Sequence, residues 1–438
     1  MNHVLSVIVI LLMAGASRGA VYYIDFNNGK DGAQGTSKVN AWKHSPAQTG
    51  FGGRYTHAAG DRFVFKGGTI WPSSTLPLHI RHSGTWEKYD AYTADSTWYQ
   101  GNFFTRPVFT GEHRKVALVF AENESCFVLN GLAFMDYGVA GEYNGGKGLE
   151  CNGCSRYTIQ NCTITPNAWL GLYLHSYRGI MAEQIIIEGC DISAAGQAIV
   201  IATEAANTIF KGVLIRNNRI HDLSSQIAGP THGDGIHTWN SPDSDLSQYI
   251  TDLTITANVF DGDFSRIGPG EGAMTSLIYL TDPGMYATIS ENVLTYSKAT
   301  SFASLIWVRN FDEVKIYNNT LVQKPEIGGI GIIVGQGRGR QRTVITNNII
   351  DNCQSAYYIY ADASPAVKID HNCCVTTSRV IGYWNGEGKD AQAWRALGND
   401  LSGIFSSKSS LSPVDFRLQS DSPCFDHGMG AGGSGRID

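Results

Sequence analysis

Charge and long apolar segments are both scarce in this chain of 438 residues. Charged side chains make up 16% of it and the net charge is −6, so the chain lacks the basic surface that nucleic-acid binding requires. No basic amphipathic stretch favours binding to a membrane surface. The apolar run from Val4 to Met13 is too short to cross a bilayer, and no later run is long enough. We therefore expect neither a nucleic-acid partner nor a membrane span.

Several motifs of common enzyme classes are missing as well. The chain has no Walker phosphate loop. Cys151 and Cys154 have CxxC spacing, but the absence of a second such pair argues against a zinc site. Nine cysteines leave at least one unpaired. Helical periodicity is almost absent, whereas 50 glycines suit many tight turns between short strands.

The chain does contain a short sequence motif that recurs. Each copy begins and ends with an apolar residue and contains Asn or Gly. Successive copies are 30, 28, 29, 40, 34, 27, 29 and 24 residues apart. Self-similarity of this kind indicates a solenoid. Because the copies are short β-branched runs, we predict an all-β, single-stranded, right-handed parallel β-helix of about 9–11 coils. The recurring positions are Gly131, Asn161, Gly189, Asn218, Asn258, Asn292, Asn319, Asn348 and Asn372.

The recurring Asn is expected to lie at the same turn of every coil, where its amide satisfies backbone groups and neighbouring Asn side chains. Gly131 and Gly189 suit a turn with an unusual backbone conformation. Cys162 and Cys190 each follow this position, and Cys373 falls in the same column, so we expect all three to pack inward. A disulfide between Cys162 and Cys190 is the alternative.

The two ends of the chain depart from the repeat. Residues 1–20 have the apolar core and small-residue cleavage site of a signal peptide, with cleavage after Ala16 or Ala20, which predicts a secreted or periplasmic protein. We expect residues 21–110 to form an N-terminal cap and the first coils, and 111–388 the regular β-helix. Residues 389–438 would form a capping helix and tail, because a solenoid must cover its exposed ends.

Both ends also carry a family resemblance. The segments beginning at Tyr22 and at Gly60 resemble the N-terminal segments of many secreted β-helix proteins of the pectate-lyase-like superfamily. Asp415–Gly428 resembles the C-terminal segment of the same proteins. The resemblance covers nearly the whole mature chain and implies a β-helix protein active on polysaccharides. It implies no single reaction, because the superfamily includes lyases, hydrolases, epimerases and adhesins.

The 40-residue spacing between Asn218 and Asn258 marks one irregular coil, whose excess predicts a loop on the flank of the solenoid. Gly235–Trp239 can be aligned with the equivalent strand of neighbouring coils, in which strand alternation sends the second and fourth residues inward. The third and fifth residues of each aligned strand should then face outward. These two columns are Tyr173, Val200, His237, Tyr279 and Trp307, and His175, Ala202, Trp239, Thr281 and Arg309.

The outward columns predict a sugar-binding strip. Aromatic faces stack on sugar rings, and Arg pairs with carboxylate or sulfate groups. Tyr173, Trp239 and Trp307 would form the subsites. The alternative is a strip that is covered by the long loop and serves only for packing.

Asp234-Gly235 resembles the Asp-Gly strand segments that carry acidic site residues in several β-helix polysaccharide lyases. By that resemblance Asp234 could hold a calcium ion together with Asp243 and Asp245 of the flanking loop, and no other cofactor is expected. The alternative is a turn in which the Asp caps backbone amides. The motif set of the polygalacturonases is absent.

We therefore predict a polysaccharide lyase that cleaves an acidic, uronate-containing glycan by β-elimination. This chemistry needs a cation to neutralise the carboxylate, a base for the C5 proton and an acid for the leaving oxygen. Arg309, or calcium at Asp234, would supply the cation, His237 the base and Tyr279 the acid. The alternative proton-transfer groups are His175 and His232.

Three other functions are open from the sequence. A glycoside hydrolase would use paired carboxylates, for which the candidates are Asp234, Asp261, Asp263 and Glu271. A C5-epimerase would share the base and acid of the lyase. A non-catalytic glycan-binding surface protein would need only the aromatic strip.

Overall fold

The computed structural model describes residues 19–114, 117–139, 146–223, 232–240, 247–265, 274–281, 283–299, 302–323, 328–337, 341–408, 411, 418, 420 and 422–424. The core of the expected signal peptide, with the cleavage position after Ala16, lies outside these residues. So do Asp243, Asp245, Glu271, most of the segment 415–428 and the C-terminal tail. The predictions made for them stay predictions.

Three sheets of 12 strands each, parallel except for one hairpin, form the structure. Sheet A consists of Val21–Ile24, Arg62–Gly67, Asp90–Tyr99, Ser125–Asn130, Ser155–Gln160, Met181–Glu188, Ile209–Arg216, Tyr249–Thr256, Gly284–Ser290, Phe311–Tyr317, Thr343–Thr346 and Val367–Asp370. Sheet B consists of Ile70–Trp71, Val108–Thr110, Ala133–Met135, Thr163–Thr165, Asp191–Ser193, Arg219–His221, Val259–Asp261, Val293–Leu294, Thr320–Val322, Ile349–Asp351, Cys373–Val375 and Ile404–Ser406.

Sheet C carries the candidate site. It consists of Leu78–Ile80, Ala117–Glu122, Gly148–Asn152, Ala168–Ser176, Ala195–Thr203, Gly233–Asn240, Met274–Leu280, Phe302–Val308, Ile330–Val334, Ser355–Ile359, Gly382–Trp384 and Glu387–Lys389, the last two antiparallel. Two short strands, Asp263–Phe264 and Lys298–Ala299, pair separately. Among the residues that the structure describes, the helical segments are a 3₁₀ turn at Ser73–Thr75 and an α-helix at Ala391–Ala396.

The chain winds through sheets A, B and C in turn, so each coil adds one strand to each sheet. This is a right-handed parallel β-helix, and the predicted fold class is confirmed. Eleven complete coils, from the one that begins at Arg62–Gly67 to the one that ends at Gly382–Trp384, agree with the predicted 9–11. The twelfth strands are Val21–Ile24 in sheet A, Ile404–Ser406 in sheet B and the hairpin strand Glu387–Lys389 in sheet C.

Stacked aliphatic side chains fill the interior. In sheet A, five isoleucines are successive partners and are all fully buried: Ile187, Ile215, Ile255, Ile289 and Ile316. Burial of each such side chain stabilises the fold by about 1.5–3 kcal/mol. Since every coil repeats this arrangement, the core extends along the whole solenoid.

The predicted Asn ladder runs along the corner between sheets A and B. At each step one Asn accepts two hydrogen bonds from the Asn of the coil before it. Asn292 Oδ1, for example, accepts from Asn258 N at 2.9 Å and from Asn258 Nδ2 at 3.0 Å. Asn258 Nδ2 also donates to Ile215 O at 3.0 Å. The buried members are Asn218, Asn258, Asn292, Asn319, Asn348 and Asn372, followed by Asp400.

The first three predicted ladder positions are wrong by one residue. Gly131, Asn161 and Gly189 have φ angles of +73°, +52° and +61°, a left-handed conformation that they share with Asn217, the residue before Asn218. Asn and Gly both tolerate this conformation, so the sequence pattern cannot separate that column from the ladder. The residues at the ladder position of these coils are Leu132, Cys162 and Cys190.

Cys162 and Cys190 replace the Asn amide in the ladder. The Cys190 thiol donates to Ile159 O at 3.6 Å, as the Asn258 amide does to Ile215 O. The Cys190 backbone N donates to Asn218 Oδ1 at 2.9 Å. Both thiols are buried and free, as the inward-packing prediction requires. The placement of Cys373 in this column is wrong. It follows Asn372 in sheet B and forms a disulfide with Cys424.

Both ends of the β-helix are covered by aromatic side chains. At the N-terminal end, Tyr22 stacks on Trp42 with ring centroids 4.5 Å apart. At the other end, the helix Ala391–Ala396, which lies within the predicted helical segment, buries Trp394 against Tyr357 at 5.2 Å. In the described part of the chain, no helix has the length and apolarity needed to cross a membrane.

Replacement of Asn292 by Ala should destabilise the fold, because Asn258 N–H and Ile255 O would lose their buried partners. Each unpaired buried group costs about 1–3 kcal/mol, so the free energy of unfolding should fall by about 2–5 kcal/mol. Urea unfolding followed by circular dichroism measures this change. The matched Asn102→Ala change, in an exposed loop, should shift it by less than about 0.5 kcal/mol. Equal effects at the two positions would contradict a stabilising role for the ladder.

Candidate active site

The two outward columns of sheet C have the register predicted from the sequence. Inward partners such as Ile199, Ile236 and Ile278 are fully buried. One outward column joins, in order, Tyr173, Val200, His237, Tyr279 and Trp307, and the other joins His175, Ala202 and Trp239.

Most of this outward face is covered, so the predicted exposure is wrong for Tyr173, His237 and Tyr279 and is confirmed for Trp239. Tyr173 and His237 are only 5% exposed and Tyr279 is 6% exposed. The rings also pack against one another. The ring centroids of His237 and Tyr279 are 5.1 Å apart in a stacked arrangement, and those of Tyr279 and Trp307 are 5.0 Å apart. Their faces are therefore not free platforms for sugar rings. Trp239 is accessible, and the roles of these residues in substrate binding stay predictions.

Asp234 is fully buried near the start of the strand Gly233–Asn240. The next residue must be Gly, since a Cβ at Gly235 would lie 2.4 Å from Leu277 O. Asp234 Oδ1 accepts from Ser276 N at 3.2 Å, so the carboxylate does cap a backbone amide, and Oδ2 accepts from Gln197 Nε2 at 3.0 Å. Burial raises the pKa of Asp234 to about 6, although His232 and these donors oppose the rise.

His232 is the accessible partner of Asp234. Its Nδ1 lies 2.8 Å from Asp234 Oδ2, and its side chain is 37% exposed, compared with 6% for that of His237. Burial disfavours the imidazolium, but the Asp234 carboxylate outweighs this effect and the pKa of His232 is raised. A buried carboxylate is thus in ion-pair contact with a partly accessible imidazole, a combination of groups that can support proton transfer.

His237 is unsuited to the role of general base that the sequence suggested. Its Nδ1 is 3.4 Å from both Asp234 Oδ2 and Gln197 Oε1, and its Nε2 is 3.3 Å from Thr281 Oγ1. Burial, aided by the charge of His232, lowers the pKa of His237 to about 3. The ring is therefore neutral and too weakly basic to accept a proton readily near neutral pH.

Tyr279 and Arg309 complete this group. The Tyr279 ring lies 5.9 Å from the His232 ring at an angle of 70°. Burial raises the pKa of Tyr279, and the charge of the Arg309 guanidinium partly offsets the rise. Arg309 Nε also donates to Gln336 O at 2.9 Å. We term His232, Asp234, His237, Tyr279 and Arg309 together the His232 centre.

A second group surrounds His175, which is fully buried. Its Nδ1 lies 2.8 Å from Glu204 Oε2 and its Nε2 lies 3.0 Å from Glu150 Oε1. Tyr173 donates a hydrogen bond to Glu204. Although burial opposes it, the two carboxylates raise the pKa of His175 and so favour the imidazolium. His175 lies apart from the described contacts of the His232 centre.

Sequence reasoning missed both carboxylates of this group. Glu150 pairs with Tyr173 one coil earlier, so extending the column alignment by one coil would have found it. Glu204 follows the end of the strand Ala195–Thr203, where strand alternation no longer predicts direction.

Lys147 and Tyr177 border the same group. Lys147 Nζ donates to Tyr177 Oη at 2.9 Å and lies 3.7 Å from Glu150 Oε1. It also lies 5.1 Å from the centre of the Tyr173 ring, a cation–π distance. We term Lys147, Glu150, Tyr173, His175, Tyr177 and Glu204 together the His175 cluster.

The carboxylates considered for hydrolysis have separate contacts. Asp261 forms a two-pronged ion pair with Arg219 on sheet B, with distances of 3.1 and 3.0 Å. Asp263 Oδ1 accepts from Ser265 N at 2.8 Å. The described contacts of Asp234 involve neither of them, and Glu271 lies outside the described residues.

The described contacts of Asp234 differ from those of a calcium ligand. Calcium takes about six to eight oxygen ligands, whereas the Asp234 oxygens face N–H donors and an imidazole. Within the described residues, no group of three or more His, Cys, Asp or Glu side chains could hold a metal ion. Because Asp243 and Asp245 lie outside those residues, the calcium site stays a prediction.

Comparison with known proteins agrees with the fold. A family model for the right-handed β-helix region matches residues 147–261, and no curated protein matches the chain. A GH136 lacto-N-biosidase from Eubacterium ramulus is similar over 89% of this chain and 68% of its own, with 12% identity and a TM-score of 0.56. Pectate lyase Pel9A is similar over 95% of this chain and 94% of its own, with 15% identity and a TM-score of 0.51. At such identities the likeness extends to the fold alone: the chain is a right-handed parallel β-helix protein.

Proposed function

We propose that this protein is a carbohydrate-active enzyme that cleaves an acidic polysaccharide by β-elimination at the outer face of sheet C. The observation that carries the proposal is the contact of 2.8 Å between buried Asp234 and accessible His232, beside Tyr279 and Arg309. In this proposal His232 is the base, Tyr279 is the proton donor and Arg309 is the cation.

Each step of the elimination has a candidate group. His232 removes the C5 proton of the uronate, the electron pair forms the C4–C5 double bond, and the C4–O bond breaks. Tyr279 donates its proton to the leaving oxygen, since its raised pKa keeps the hydroxyl protonated. Arg309 neutralises the uronate carboxylate, whose charge grows as C5 loses its proton.

His232 replaces His237 as the favoured base because of its accessibility and its pKa. His237, stacked on Tyr279 and next to Asp234, holds the neighbouring rings in position. We propose Arg309 rather than calcium at Asp234 as the neutralising cation, since the Asp234 oxygens already accept from Ser276 and Gln197.

The names of the structural neighbours support a carbohydrate substrate, because one is a lacto-N-biosidase and the other a pectate lyase. They do not favour one reaction, since the same fold accommodates both. Hydrolysis needs one carboxyl group that stays protonated as the acid. The Glu150–Glu204 pair does not favour it, because hydrogen bonding to His175, against the effect of burial, lowers the pKa of Glu150.

We also propose that the protein acts outside the cytoplasm. The N-terminal apolar run predicts export, and the disulfide between Cys373 and Cys424 is typical of oxidising compartments.

His232→Ala and Tyr279→Phe should each reduce kcat by about 10²-fold or more, because each removes a proton-transfer group. The measurement is the ultraviolet absorbance of unsaturated uronates formed from a panel of uronate polysaccharides, with and without a calcium chelator. His44→Ala is the matched control, because His44 forms an equivalent 2.8 Å contact with Asp31 in the N-terminal cap, and it should keep full activity.

New reducing ends without the ultraviolet band would mean hydrolysis, and sugar inversion at C5 without cleavage would mean epimerisation. Saturable binding without any product would favour a glycan-binding protein.

The pH profile should report the Asp234–His232 contact. A base must be neutral, so kcat/KM should rise with pH through a midpoint above about 6.5, the ordinary histidine pKa. Asp234→Asn removes the charge that raises the pKa of His232 and should move this midpoint to lower pH. A midpoint that stays in place, or moves upward, would contradict the assignment of His232 as the base.

A further inference from the structure

The His175 cluster presents two carboxylates in a fixed arrangement. His175 is fully buried between Glu150 and Glu204, each of which binds one ring nitrogen. Tyr173 holds the second oxygen of Glu204. Both carboxylates are bonded to the same buried imidazole ring. Movement of either carboxylate would therefore break its contact with His175.

The outer atoms of this cluster are accessible to a ligand. The Glu150 and Glu204 side chains are 14% and 12% exposed, and that of Lys147 is 31% exposed. Tyr177 is 53% exposed beside them. A carboxylate offers about four acceptor positions, and in Glu204 the described contacts fill one on each oxygen. A ligand that donates hydrogen bonds would fill the others.

The cluster lies in line with the His232 centre. Glu150, Tyr173, Val200 and His237 are successive partners across sheet C, so Glu150 is three strand spacings, roughly 14 Å, from His237. In the neighbouring column, the accessible Trp239 is two strands from His175. An extended glycan lying along the solenoid axis would meet both groups.

We propose that the His175 cluster is a subsite for an uncharged, hydroxyl-rich sugar unit of the same polysaccharide. Carboxylate oxygens only accept hydrogen bonds, so they suit sugar hydroxyls, whereas a uronate carboxylate has no proton to donate and would be repelled. A cationic sugar is disfavoured because Lys147 Nζ, which lies 3.7 Å from Glu150 Oε1, would repel it. The exposed Tyr177 ring offers an apolar face to the sugar. This inference rests on the proposed function and narrows the substrate to a heteropolysaccharide with uncharged units beside the uronate.

Binding to two oligosaccharides of equal length tests the subsite. One probe contains uronates alone, and the other alternates uronates with neutral sugars. Calorimetry on the His232→Ala background prevents turnover during the measurement. The mixed probe should bind about tenfold more tightly than the uronate probe, since the carboxylates of the cluster accept hydrogen bonds from sugar hydroxyls but repel the additional carboxylate of a uronate.

Glu150→Gln and Tyr177→Ala, each on the same background, should reduce that preference to within about twofold. Tyr177→Ala leaves both carboxylate–imidazole contacts in place, so it tests the subsite even if Glu150→Gln perturbs folding. Glu188→Gln is the matched control, because Glu188 pairs with Arg216 on sheet A, and it should leave the preference unchanged.

Equal affinity of the two probes, or a preference that survives Tyr177→Ala in a folded protein, would overturn the subsite. The results also distinguish an error in the subsite proposal from an error in the proposed elimination reaction. Ultraviolet product formed at equal rates from both polymers would support elimination and contradict the subsite. A preference for the mixed probe without ultraviolet product from either polymer would support the subsite and contradict elimination.

Discussion

Hydrogen bonding between successive coils is the interaction on which the other features depend. Each strand pairs with its neighbours one coil away, at a step of about 4.8 Å. This register sends Ile199, Ile236 and Ile278 into the core and turns their chain neighbours outward in continuous columns. The Asn ladder supports the same register, because Asn258 and Asn292 can bond each other only when their coils are aligned. A proton-transfer group assembled from several coils is positioned by this alignment.

The difference in burial between His232 and His237 gives these two neighbouring imidazoles different pKa values. His232 and His237 both lie beside Asp234, yet the pKa of His232 is raised and that of His237 is lowered to about 3. His232 is partly accessible and gains more from the carboxylate than burial costs it. His237 is buried, and the charge of His232 further disfavours its protonation. Burial also raises the pKa of Asp234 to about 6, although His232 opposes the rise.

The sequence predicts the fold and the outward columns well, because both follow from repetition and from strand alternation. It places Gly131, Asn161 and Gly189 one residue away from the ladder, because Asn and Gly suit the left-handed turn as well as Asn suits the ladder. Exposure could not be predicted, since the stacking of His237 on Tyr279 depends on partners from other coils. Glu204 was missed for a related reason: its contact with His175 forms beyond the end of a regular strand.

The most direct test of the account is a crystal structure of the Tyr279→Phe variant with a bound uronate oligosaccharide, because this change keeps His232, Asp234 and Arg309 intact. We predict that the glycan lies along the outer face of sheet C, with a uronate carboxylate at Arg309 and its C5 about 3–3.5 Å from His232 Nε2. An oligosaccharide bound on sheet A or sheet B, or on sheet C with C5 out of reach of His232, would contradict the account.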